Sequence, residues 1–226
     1  MEALILTLFL SAGAAALLII NWRKLHDFPL LHRELDIVRR CCKSEWEWVC
    51  RSAVDLTLDP ETAQCELVLS GDGKRVRFGE LKDVPDNPKR FNHWCCILSR
   101  ESFTSGRYYW VIQVNEWCTV GVTKESACRK GAFSFTPEQG YWALASHSSR
   151  LFAFTDPWTP LPNSLLPRKM GLCLDIGERQ VSFYKVESRS HIYTFTGLEF
   201  REGERLFPFI YTRAEKDISI VSPKDH

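Results

Sequence analysis

No C-x-x-C pair, no G-x-S-x-G elbow and no Asn-x-Ser/Thr acceptor occurs in this chain of 226 residues. Each absence excludes something. Without C-x-x-C, or a Cys/His cluster at zinc spacing, the nine cysteines (41, 42, 50, 65, 95, 96, 118, 128 and 173) cannot assemble a structural zinc module, and no metal is expected. Their odd number argues against the even, paired set of a secreted disulfide scaffold. Asn21, Asn87, Asn92, Asn115 and Asn163 all fail the glycosylation pattern. Both facts point to a reducing, cytosolic home for the folded part. The six histidines (His26, His32, His93, His147, His191 and His226) have no nucleophile motif beside them. His93 stands close to Cys95 and Cys96 but is read as a hydrogen-bonded histidine beside core thiols. Charge excess is lacking as well. With 29 basic and 28 acidic residues the net charge is +1, which gives no reason to expect nucleic acid as a partner.

What is present begins with an apolar run, Ala3 to Ile20, that contains no charge. Eighteen helical residues reach roughly 27 Å, just enough for a hydrocarbon core of ~30 Å. A cleaved signal peptide is the competing reading, but it wants basic residues before the run and a small-residue cleavage site after it. Here Glu2 precedes the run and the small residues Ser11–Ala16 lie in its middle, so the flanks favour an anchor. Arg23 and Lys24 follow directly, which by the positive-inside rule puts the C-terminal side in the cytoplasm. Residues 3–20 are therefore expected to be a single-pass transmembrane anchor and 21–48 a juxtamembrane helical stem. Phe28, Leu31, Leu35, Val38 and Cys42 share one helical face, which permits a homodimer through the stem. Cys41 and Cys42 are candidates for palmitoylation, with ordinary thiols as the alternative.

From Leu58 onward the chain is a series of short strands. Leu67–Leu69, Tyr108–Val114, Lys169–Asp175 and Val181–Val186 are β-branched and aromatic runs separated by Gly, Pro, Asn and Asp. Asp72-Gly73 between two such runs is a hairpin signal. The fold class expected is all-β: a two-sheet antiparallel sandwich behind the anchor and stem. Such a sandwich usually works by holding something in its loops.

Particular segments resemble the PRY-SPRY (B30.2) family. Leu58-Asp59-Pro60, Val84–Phe91 and Phe103–Trp110 match its PRY part. Trp117 with Gly121-Val122, Arg129-Lys130-Gly131, Thr136–Trp142, Gly171–Asp175, Val181–Tyr184 and Ser190–Phe195 match its SPRY part. The resemblance assigns 49–105 to a PRY segment and 106–222 to a SPRY segment of one bent sandwich. It implies protein recognition through loops at one end, with no catalysis and no cofactor. A membrane span and short stem before the sandwich resemble butyrophilins without their immunoglobulin domains, which implies a regulatory or immune role. A secreted PRY-SPRY protein and an adaptor related to the tripartite-motif ubiquitin ligases are the alternatives.

By family position the binding rim comprises Asp86–Trp94, Asn115–Trp117, Ser146–Phe152 and Phe209–Arg213. Aromatic and Arg side chains anchor interfaces most strongly, so Phe91, Trp94, Trp117, Phe152 and Arg213 are the expected partner contacts, with core packing as the alternative for each. Certain butyrophilins hold small phosphorylated metabolites in a basic pocket, and by analogy Lys124, Arg129 and Lys130 are the candidate anion contacts. Three departures from the family pattern stand out. Trp110–Val114 reads Trp-Val-Ile-Gln-Val where relatives alternate acids, taken as surface charge lost from one sheet face. Asn115-Glu116 alone links Val114 to Trp117, taken as a tight hairpin. Leu174–Glu178 lacks a usual tyrosine but keeps strand, turn and strand.

Overall fold

The computed structural model describes residues 46–223. The apolar run 3–20, the stem as far as residue 45 and the thiols of Cys41 and Cys42 lie outside the described residues, while 46–50 form a helical turn. Among the described residues no helix is long and apolar enough to cross a membrane.

The strand-forming runs fold into two antiparallel sheets. One has seven strands in the order β1 (Leu67–Leu69), β2 (Arg75–Phe78), β13 (Ile218–Val221), β4 (Arg107–Gln113), β9 (Lys169–Asp175), β10 (Gln180–Lys185) and β11 (Ser190–Thr196). The other has six: β3 (Cys96–Leu98), β12 (Leu206–Thr212), β5 (Trp117–Lys124), β6 (Tyr141–His147), β7 (Arg150–Ala153) and β8 (Thr159–Leu161). Side chains alternate across each strand. Trp110 and Ile112 of β4, Leu172 and Leu174 of β9 and Phe183 of β10 therefore share a core with Val120 and Val122 of β5, Leu144 of β6 and Ile210 of β12. The expected sandwich is what forms.

The β1–β2 hairpin turns as its Asp-Gly pair predicts. Gly73 adopts φ +67°, and the Asp72 carboxylate accepts a bond from the Lys74 amide at 3.0 Å. Asp175, at the end of β9, accepts two bonds from the Arg107 guanidinium, 2.8 Å from Nε and 2.7 Å from Nη2. Its other oxygen takes the Glu178 amide at 3.1 Å, closing the turn into β10.

Two expectations need correction. The Asn115-Glu116 link is not a hairpin: β4 and β5 belong to different sheets, and the chain crosses between them there. Asn115 makes the crossing possible, because its side chain satisfies backbone that no ladder serves. Its Nδ2 donates to the Lys216 carbonyl at 2.8 Å, and its Oδ1 accepts the Trp117 amide at 2.9 Å. The two acids missing from β4 also differ in kind. Gln113 is exposed, but Val111 is fully buried, so at that position an apolar residue avoids the cost of burying a carboxylate.

Candidate functional site

The outer face of the six-stranded sheet is built from rows of paired residues. In one row Phe209 of β12 pairs with Gly121 of β5, which pairs with Ala143 of β6. Small residues in the middle leave a depression. Phe135, from the segment between β5 and β6, fills it: its ring stacks on Phe209 at 5.8 Å and on Phe154 at 5.7 Å. Phe91, Tyr141 and Phe154 join this second, smaller core.

The next row repeats the design. Tyr211 pairs with Thr119, Thr119 with Ala145 and Ala145 with Phe152, again placing small side chains between two aromatic ones. This row floors a bowl of about 660 Å³. Trp94 forms one wall. Its indole N–H donates to the Phe133 carbonyl at 3.0 Å, and its ring meets Tyr211 edge-on at 5.9 Å. Trp158 forms the opposite wall, tilted against Phe154 at 4.9 Å. Trp117 stands at a third side against the His147 ring, 3.6 Å between centroids. Large apolar side chains are rarely left in water without reason. Yet Trp117 is 47% and Trp158 62% exposed, and both line the bowl.

Of the expected partner contacts, the bowl brings together Trp94, Trp117 and Phe152. Phe91 is elsewhere: it is fully buried in the second core, its amide donating to the Thr62 carbonyl, and it cannot touch a partner. Arg213 is exposed but lies 5.8 Å over the Phe78 ring, outside the bowl lining. Sequence reasoning missed Phe133, Phe135, Phe154 and Trp158. The available signal was aromatic density, seven Phe, Tyr and Trp residues from 133 to 158.

The candidate anion contacts do not converge. The Lys130 ammonium is held by the Asp86 carboxylate and the Asn87 carbonyl. Arg129 donates to the carbonyls of Lys89 and Glu125, and burial lowers its pKa. Lys124 instead lies along Gly140, in a shallow depression of mixed charge shared with Arg179, Arg201, Glu199 and Glu204.

The thiols near these surfaces are not activated. Cys118 belongs to the strand under the bowl, but its side chain lies in the shared core and burial pushes its pKa up to about 12. Cys95 rises to about 11, through burial first and then the Glu66 charge, while His93 is exposed and turned against Trp94. A nucleophilic cysteine needs the opposite shift. Among the described residues no group of three or more His, Cys, Asp or Glu is placed to hold a metal.

The two-sheet sandwich has parallels among known proteins. A SPRY-associated domain profile matches residues 56–103, and a SPRY domain profile matches residues 107–225. The chain belongs to the PRY-SPRY family. Human butyrophilin subfamily 1 member A1 is 36% identical over 211 residues, 91% of this PRY-SPRY chain and 40% of that protein. The bovine protein of the same name is 37% identical over 185 residues, 80% of this chain and 35% of its own length. Human zinc finger protein RFP is 40% identical over 153 residues, 66% of this chain and 30% of that protein. The chain thus spans only 30% to 40% of the length of these curated relatives. Among solved structures, the TRIM65 PSpry domain superposes with a TM-score of 0.68 at 22% identity, covering 77% of this chain and 93% of that one. Stonustoxin does so with 0.64 at 25% identity, covering 75% and 27%. A SPRY domain is typically a non-catalytic binding module.

Proposed function

We propose that this chain is a non-enzymatic, membrane-anchored recognition protein of butyrophilin type, whose cytoplasmic sandwich docks a protein partner in the aromatic bowl. The observation that carries the reading is the exposure of Trp117 and Trp158 at the edge of a preformed depression. Aromatic anchors around a concave centre are what protein interfaces use as hot spots. The anchor rests on the apolar run 3–20, and its orientation on the Arg23-Lys24 pair that follows. The stem face of Phe28, Leu31, Leu35 and Val38 would pair two copies at the bilayer.

Proximity labelling from the C-terminus of the full chain in intact cells tests docking. Partners enriched by the native protein are expected to be lost from a Trp117→Ala/Trp158→Ala variant that keeps its expression and unfolding midpoint. Retention of the same partners would remove the bowl as the docking surface. Protease protection tests topology separately: a C-terminal tag should become cleavable only after the membrane is permeabilised.

A further inference from the structure

The docking reading leaves open what the bowl accepts, and its lining carries a charge preference. The walls are ring faces and edges of Trp94, Trp117, Phe152 and Trp158. Ring faces carry the negative part of the aromatic quadrupole, and Trp carries it most strongly. Among the described residues no Lys or Arg lines the bowl; His147 is the one basic side chain there and Asp156 the one carboxylate. Arg150 pairs with His147 across the β6–β7 hairpin yet stays outside the lining. Asp156 is exposed, two positions from Trp158. Unlike Asp55, Asp86, Asp175 and Asp217, it takes part in none of the ion pairs among the described residues. An unpaired carboxylate beside open tryptophan faces is an environment complementary to a cation and unfavourable to an anion.

On the reading that the bowl docks a protein, we propose that it takes a cationic side chain, an arginine or lysine of the partner, stacked between Trp117 and Trp158 and neutralised by Asp156. The Phe135 row shows the geometry this would copy. There a planar ring lies over the small Gly121–Ala143 pair between two aromatic side chains. In the bowl the planar guanidinium and apolar stem of an arginine would lie over Thr119 and Ala145 in the same manner. A phosphate or carboxylate ligand would find no lysine or arginine to receive it.

The full chain labelled with 5-fluorotryptophan, which carries 8 Trp, would report this by fluorine NMR. The probes are the peptide Gly-Ser-Arg-Ser-Gly, its norleucine and glutamate counterparts, and phosphocholine. The arginine peptide is expected to shift the Trp117 and Trp158 resonances saturably. It should bind at least several-fold more tightly than the norleucine peptide, and the glutamate peptide should give no shift. Asp156→Asn should weaken the arginine peptide about three- to tenfold, with the buried Trp110 and Trp142 resonances unmoved as proof of an intact fold. Equal binding of the norleucine peptide, a shift by phosphocholine alone, an unchanged affinity in Asp156→Asn, or no shift from the arginine peptide would each overturn the proposal. An equal norleucine response would still leave the bowl a docking surface. Partner capture surviving in the Trp117→Ala/Trp158→Ala variant would instead strike at docking itself.

Discussion

Gly121 sits where no side chain fits. A Cβ there would stand 2.2 Å from the Trp142 carbonyl oxygen and 2.7 Å from the Ala143 Cα, both backbone atoms that cannot turn aside. Gly121→Ala is therefore expected to force β5 and β6 apart and cost about 2–4 kcal/mol, read as a lower urea midpoint. The Arg107–Asp175 pair makes a second case. The Asp175 side chain is only 8% exposed, and Arg107→Met leaves its charge without the guanidinium that pairs with it. A loss of about 2–3 kcal/mol is expected in the same measurement. The buried thiols set a pH dependence. Cys118 and Cys173 are raised from 9.0 to about 12, by burial above all. A raised folded-state value means that the folded chain holds its proton more tightly than the unfolded one. Stability from these groups is thus fully present below pH 9 and falls as pH climbs toward 12. Unfolding free energy measured across that window should decline. At pH 8, iodoacetamide should reach the exposed Cys128 long before Cys118.

Strand by strand, the chemistry of each turn decides how well an element is made. Ser148 and Ser149 join β6 to β7 with φ of +48° and +64°, a two-residue turn in a conformation that favours Asn-Gly. The double change Ser148→Asn/Ser149→Gly is expected to raise stability by about 1 kcal/mol, seen as a higher thermal midpoint. Most strands were legible as runs of β-branched and aromatic residues, and the Asp72-Gly73 hairpin as a turn signal. Their assignment to two sheets was not. All but the ends of β5, β6 and β9 are buried on both faces, so the alternation that tells inside from outside is blurred. That is why the crossing at Asn115 read as a hairpin. The bowl was legible in part. Trp94, Trp117 and Phe152 fall in segments that the resemblance assigns to the rim, and all three line the bowl. Phe91 shares that rim in sequence, but loop residues obey no period, and its ring turns into the second core.

Taken as a whole, the sandwich is sewn together from both ends of its sequence. The segment 56–103 gives β1 and β2 to one sheet and β3 to the other, and β13 lies between β2 and β4. Phe78 is tied to Ala214, and Ile220 to Lys74, by backbone bonds of 2.9 and 2.8 Å. Removing residues 217–226 should detach β1 and β2 and expose β4 as an open edge. Loss of the cooperative unfolding transition, with aggregation, is the expected outcome in circular dichroism and light scattering. The segment 56–103 alone should show no strand signal.

The row that floors the bowl has a different kind of consequence. Thr119 and Ala145 point away from the shared core, while their neighbours Cys118, Val120 and Leu144 point into it. Changes at these alternate positions would alter the depth of the depression while leaving the side chains of the shared core in place.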